Sequence, residues 1–243
     1  MKKQFIRLAL FVENFILPLL YLWSILQSLS YAATNFSAFM DLSSHWSEIL
    51  KDKLIVKGWA VYIQNFSFLF FMTMSFIGLI IKKKLIKSPD TLKEVIIPLI
   101  STFFYIAYGY LNHFTFINNR ILLPNQILPY STLVGMLINI FGITISAIAV
   151  FQLRHSFSIY VEIRDIVSHG LYRYVRHPIY LGYNISTIGL LILQPHVDFM
   201  LLAALSTLML IYRADMEEKK LIANSPVYRA YADKTPAFIP HFS

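Results

Sequence analysis

Long apolar runs, several bordered by basic residues, constrain this chain more than any other feature. A helix needs about 20 mostly apolar residues to cross a bilayer, and Leu8–Leu29 and Gly58–Ile81 both qualify. The second ends abruptly at Lys82-Lys83-Lys84. A third run, about Val95–Ile117, is softened by Pro98, Asn112 and His113; a fourth, about Ile127–Phe151, holds Gly135 and Gly142, which let helices approach closely. Two shorter runs follow, Ile179–Leu193 and Val197–Tyr212, joined by Gln194-Pro195-His196. Each reaches only about 22–24 Å at helical rise, short of a ~30 Å hydrocarbon core, and the pair reads as a helical hairpin. The predicted class is therefore all-α: a polytopic membrane protein with about four transmembrane helices, a C-terminal membrane hairpin and cytosolic polar segments. Residues 1–149 form the N-terminal helices and residues 150–243 a separate C-terminal core. With 57% hydrophobic and only 14% charged residues, the chain lacks the charge to cover a soluble surface.

The first run needs a decision. Lys2, Lys3 and Arg7 ahead of it, and Ser30-Tyr31-Ala32-Ala33 after it, imitate a cleaved signal peptide. Signal cores are about 7–15 residues long, and this run is longer and carries Glu13, Asn14 and Pro18, so a retained span is expected. Lysine and arginine placement then sets orientation. The N-terminus and the loop with Lys82, Lys83, Lys84, Lys87 and Lys93 are basic, while the loop after the third run has only Arg120. The positive-inside rule puts both termini, and the polar segments around Arg154–Arg176 and beyond Tyr212, in the cytoplasm. A short interfacial helix is expected around Ser44–Leu54, with Trp46 at the headgroups. The net charge of +8 sits beside spans, which points to anionic lipid and away from nucleic acid. The absence of cysteine removes disulfides, thiolate nucleophiles and zinc–thiolate sites.

Two segments gather polar and aromatic groups. The first runs from Glu162 through Arg164, Asp165, Tyr172 and Arg176-His177-Pro178-Ile179-Tyr180 to Gly182; the second holds Arg213, Glu217 and Glu218, then Tyr228, Tyr231, Pro236 and Pro240. The hairpin between them is the right length to bring them side by side. Pro178 suits the first turn of a helix. His177 would then border free backbone N–H groups able to hold an anion. Arg213 and Glu217, four apart, share a helix face.

The ordered pattern Gly170-x-Tyr172-x-x-x-Arg176-His177-Pro178-x-Tyr180-x-Gly182, Arg213-x-x-x-Glu217-Glu218, Tyr228-x-x-Tyr231 and a closing Pro-x-x-x-Pro resembles the isoprenylcysteine carboxyl methyltransferase family, itself distantly similar to phospholipid N-methyltransferases. The resemblance covers about residues 150–241. It implies an S-adenosyl-L-methionine-dependent methyltransferase acting on a lipid-like or isoprenoid acceptor, with the cofactor pocket built by the hairpin and its flanks. By motif position, Arg164, Asp165, Ile166, Val167, Tyr172, His177, Pro178, Ile179, Tyr180 and Glu217 line that pocket. Glu162 is a weaker transfer, because the stretch before Arg164 is shorter than in family members. Asp215-Met216-Glu217-Glu218 replaces a longer acidic run, which leaves Glu217 and Glu218 as alternatives for one contact. Arg213 falls where the family places an arginine near an acceptor carboxylate, which it would fix by paired hydrogen bonds. Methyl transfer is an in-line displacement that needs no metal and draws mainly on positioning in a dry site.

These residue types also have ordinary explanations. Arginine at a span's end is a common interfacial anchor, Glu217–Lys220 can be a solvated helix face, His177 a cap residue, and Tyr172, Tyr174 and Tyr180 an aromatic belt. His113 is an intramembrane polar group, but beside Asn112 it reads better as a packed, hydrogen-bonded residue. Two rival classes remain. A sterol-reductase-like enzyme would use a reduced nicotinamide dinucleotide, and its usual motif has asparagine before the tyrosine where this chain has Ile179. A transporter or scaffold accommodates the intramembrane Glu13, the main buried charge candidate, yet shows no inverted repeat and leaves the Arg/His/Tyr/Glu set unexplained. The acceptor atom and the oligomeric state are not encoded in any motif.

Overall fold

The computed structural model of the chain describes residues 2–44, 53–83, 85–111, 128–193 and 197–239. The expected interfacial helix with Trp46, and Asn112, His113, Arg120, the Gln194-Pro195-His196 joint and Pro240, lie outside the described residues. The regular elements among the described residues are all helices, with no strand, only an isolated antiparallel bridge between Lys87 and Ile163. Helices α1 (Lys2–Phe11) and α2 (Leu17–Thr34) join through a π-helical turn, Val12–Ile16. Then come α3 (Phe36–Ser44), α4 (Lys53–Ile80), α5 (Lys93–Leu111), α6 (Leu128–Leu153), α7 (Pro178–Leu193), α8 (Val197–Asn224) and α9 (Pro226–Ala232). Among the described residues, three stretches are long and apolar enough to cross a membrane: Gln4–Thr34, Leu133–Ser156 and Phe199–Asn224. Phe68–Ile80 and Pro178–Leu193 are shorter apolar helices.

The first span buries one stripe. Glu13, Leu17 and Tyr21 recur every four residues and are all but inaccessible, whereas Leu19, Trp23 and Leu26 of the same span are exposed. An exposed apolar face of this kind suits lipid contact. A π-turn inserts one residue into the helical repeat, and here it brackets Glu13, turning a carboxylate inward among apolar neighbours.

Close backbone packing joins α6 to α7. A Cβ on Gly142 would lie 2.2 Å from the Ser186 nitrogen, and one on Gly189 would lie 2.4 Å from the Asn139 nitrogen. Gly135 and Gly182 also face the partner helix with no room for a Cβ, at 2.8 and 2.6 Å from its backbone oxygens. Small residues at such a seam let helices touch backbone to backbone, which is how helices associate without a hydrophobic drive. Polar pairs lock the register: Asn139 Nδ2 donates to Ser186 Oγ at 2.8 Å, and Ser146 Oγ donates to the Ile179 carbonyl at 3.0 Å.

Two expectations change. The polar segment expected as a separate unit beyond Tyr212 begins as the continuation of α8, which runs unbroken for 28 residues. The hairpin arms also do not pack mainly on each other: α7 lies along α6, and α8 packs on α5. The glycine seam explains this, because α7 spends its small-residue face on α6. What closes the two arms is their polar ends.

Candidate active site

The non-helical stretch after α6 is held residue by residue. Ile159, Val161 and Ile163 each commit both backbone groups. The Ile159 amide donates to Glu13 Oε1 at 3.1 Å, the Val161 amide to the Glu94 carbonyl at 3.0 Å, and the Ile163 amide to the Lys87 carbonyl at 2.9 Å. Their carbonyls accept from Arg213 Nη2 at 2.7 Å, Lys220 Nζ at 3.1 Å and the Ile86 amide at 2.9 Å. The Glu94 carbonyl is available because Pro98, four residues on, has no N–H to offer it. So the proline inside α5 ties that helix to the site.

Alternate residues of the same stretch, Ser158, Tyr160, Glu162 and Arg164, line a cavity of about 180 Å³. Glu162 is fully buried and gives its Oε1 to Arg164, at 3.0 Å from Nε and 2.6 Å from Nη2. Its Oε2 and the Tyr160 hydroxyl have no hydrogen-bond partner. Burial, and then the nearby Glu13 carboxylate, push the Glu162 carboxyl up against the pull of Arg164. Burial likewise moves Tyr160 up to about 12, keeping it a neutral donor. Unpartnered buried polar atoms are costly, and both of these belong to cavity-lining residues.

The opposite wall comes from α7 and α8. Glu217 Oε1 accepts from the Tyr180 hydroxyl at 2.6 Å and from Arg213 Nε at 3.0 Å, while Oε2 lies 3.9 Å from His177 Nδ1. Arg213 is buried; Nη1 reaches Thr102 Oγ1 at 3.0 Å and Ser101 Oγ at 3.4 Å, and its guanidinium stands 5.3 Å from the Tyr180 ring centre. An arginine has five N–H donors, and the protein already engages four of Arg213's, so the paired hydrogen bonds expected for an acceptor carboxylate reduce to one N–H.

Glu218 has another task. It takes Arg176 in a fork, Nε to Oε1 at 2.7 Å and Nη2 to Oε2 at 2.9 Å, and it accepts from His177 Nε2 at 2.9 Å. Arg176 Nη1 also donates to the Ala232 carbonyl at 2.8 Å and the Thr235 carbonyl at 2.5 Å. The tail folds back over the motif. Ser225 caps α9 by accepting from the Tyr228 amide at 3.2 Å, and Tyr231 donates to the Tyr172 carbonyl at 2.5 Å. The His177 ring stacks between Tyr180 and Phe238, with centroids 5.3 and 5.4 Å away. At Gly170, φ of +63° and Gln152 pressed against it leave no room for a side chain; Gln152 Oε1 takes the Leu171 amide at 2.8 Å.

The structure thus brings Glu162, Arg164, Asp165, Ile166, Val167, Tyr172, His177, Ile179, Tyr180, Arg213 and Glu217 around one cavity, and leaves Pro178 and Glu218 off its wall. Of the amides beside His177, those of Arg176 and His177 are taken: they donate to the Pro236 and Ala237 carbonyls, at 2.9 and 3.1 Å. Sequence reasoning missed Tyr21, Ser101 and Thr102, which border the cavity from outside the motif. It also missed Lys220, buried against Glu94, while its neighbour Lys219 is exposed. The four-residue stripe from Glu13 to Tyr21 was a usable signal for the first; nothing in the Glu-Glu-Lys-Lys run marks the second.

No curated protein matches the chain. The model of the isoprenylcysteine carboxyl methyltransferase family matches residues 133–223, from within α6 to nearly the end of α8.

Proposed function

We propose that this protein is a membrane methyltransferase that uses S-adenosyl-L-methionine and modifies a lipophilic acceptor entering from the bilayer. The family match implies methyl transfer. The observation that carries the cofactor assignment is the pair of unpartnered buried atoms, Glu162 Oε2 and the Tyr160 hydroxyl, on residues that line the same cavity as Glu217. A ligand with an ammonium, ribose hydroxyls and a sulfonium fits that set: carboxylates to accept and to balance positive charge, a phenol to donate, aromatic rings to stack. When bound, the cofactor supplies an electrophilic methyl group.

The chain's own residues hold and exclude. Glu217 keeps Oε2 for the ligand because Tyr180 and Arg213 occupy Oε1. Tyr180 and Arg213 hold that carboxylate in one rotamer, which is the positioning that in-line transfer rewards. The one uncommitted N–H of Arg213 orients an oxygen of the acceptor, a carboxylate among the candidates. Phe71, Leu153, Tyr183 and Leu210 give the cavity an apolar side suited to a lipid chain, and a site walled this way keeps water out. In this reading both termini and the charged junction are cytoplasmic, as the lysine distribution requires.

Isothermal titration of detergent-purified protein tests the reading. S-adenosylmethionine should bind, and Glu162→Gln and Glu217→Gln should each weaken it about tenfold, the loss of one charge-assisted contact. Binding of a reduced nicotinamide dinucleotide with no binding of S-adenosylmethionine would overturn it.

A further inference from the structure

Glu13 is the charged residue least explained by the site as described. It lies in the first span, far outside the matched stretch, and it is fully buried. An ionisable group inside a span is expensive and calls for a function and a partner. Its two oxygens do different things. Oε1 accepts from Ser158 Oγ at 2.7 Å and from the Ile159 amide at 3.1 Å, while Oε2 faces Lys82 Nζ at 3.0 Å. The carbonyl of that same Ile159 accepts from Arg213 Nη2 at 2.7 Å. A single residue therefore links the carboxylate of the first span to the guanidinium beside the cavity. The π-turn around Glu13 supports a selected placement, since such turns concentrate at functional sites.

We propose that Glu13 is a positioning residue: through Ser158 and Ile159 it fixes the carbonyl that sets the pose of Arg213, and the N-terminal span thereby takes part in turnover. The proposal rests on the methyltransferase reading for its catalytic consequence, and on geometry alone for its structural half. Oε1 is the working atom. Lys82 neutralises the charge that burial makes costly, and the bonds to Ser158 and Ile159 need only an oxygen acceptor. Glu13→Gln, made together with Lys82→Met so that its amide NH2 group does not meet the ammonium, keeps that acceptor; Glu13→Ala removes it.

The test uses detergent-purified full-length protein with two readouts. Amide hydrogen exchange over residues 157–161 should quicken about tenfold in Glu13→Ala and in Arg213→Ala, and stay near wild type in Glu13→Gln with Lys82→Met. Transfer of label from methyl-labelled S-adenosylmethionine into a native-membrane lipid extract should fall about tenfold in kcat for Glu13→Ala. Cofactor affinity should hold, Glu13→Gln with Lys82→Met should recover most of the rate, and Glu13→Ala should add no further loss in an Arg213→Ala background. Unchanged exchange in Glu13→Ala, or a loss that adds fully to that of Arg213→Ala, overturns the proposal. If wild-type protein transfers no label, the methyltransferase reading fails, and the exchange comparison alone still decides whether Glu13 holds the Ile159 carbonyl.

Discussion

The two junctions that α7 makes are built on opposite principles. Along α6 it is joined by glycines, small side chains and backbone contact, with Asn139, Ser146 and Ser186 answered inside the seam. At its N-terminal end it meets α8 and the tail through Arg176, His177, Tyr180, Glu217 and Glu218, a junction made of charge. The first junction is complete without a ligand. The second is over-supplied with acceptors, and Glu162, on the neighbouring stretch, keeps an unpartnered oxygen. Steric fit fixes where the helices go; unspent hydrogen-bonding capacity marks where chemistry is to be done. Glu217 and Glu218 repeat the contrast within one dipeptide, since Glu218 is consumed in holding the tail and Glu217 keeps an oxygen for the cavity.

Breaking the seam should cost most. Gly142→Val places methyl groups where the Ser186 backbone already stands, and backbone cannot yield as a side-chain tip can; a loss of about 3 kcal/mol or more is expected, read from thermal unfolding in detergent. Arg176→Ala attacks the charged junction. It removes a forked ion pair and two carbonyl contacts while leaving Glu218 partly buried, a cost of about 2 kcal/mol. Limited proteolysis should find the bonds after residue 224 cut faster, whereas Gly142→Val opens no such preference.

Glu218→Gln sharpens the comparison. It should destabilise the tail yet leave S-adenosylmethionine affinity within about twofold, where Glu217→Gln loses about tenfold, or ~1.4 kcal/mol. Equal effects from the two would erase the division of labour between them. Asn139→Ala is the mildest break: hydrogen bonds between membrane helices average about 0.6 kcal/mol, so its unfolding temperature should fall only slightly and its cofactor affinity not at all.

Much of this architecture was readable in advance for a physical reason. Apolar run length is set by bilayer thickness, so the first and fourth runs showed directly as helices long enough to cross, whereas Phe199–Asn224 gains its length from the polar end of α8; Gly135 and Gly142 announced a close helix contact. The Arg176-His177-Pro178-x-Tyr180 and Arg213-x-x-x-Glu217 spacings placed most of the cavity wall. What stayed hidden depends on non-local pairing. Which amides near His177 are free depends on a tail some 60 residues away, and that tail takes them through Pro236 and Ala237. The continuity of α8 past Tyr212 was masked by a change of composition with no helix breaker behind it. Lys220 and Lys219 look alike in sequence, and only the rotation of α8 against α5 buries one and exposes the other.

Direct photo-crosslinking of methyl-labelled S-adenosylmethionine to the detergent-purified protein, followed by peptide mapping, tests the central claim most closely. The account predicts label on peptides from residues 158–180 and 213–221, lost on competition with unlabelled cofactor and reduced in Glu217→Gln. Label confined to α1–α5, or label that unlabelled cofactor does not displace, would contradict it.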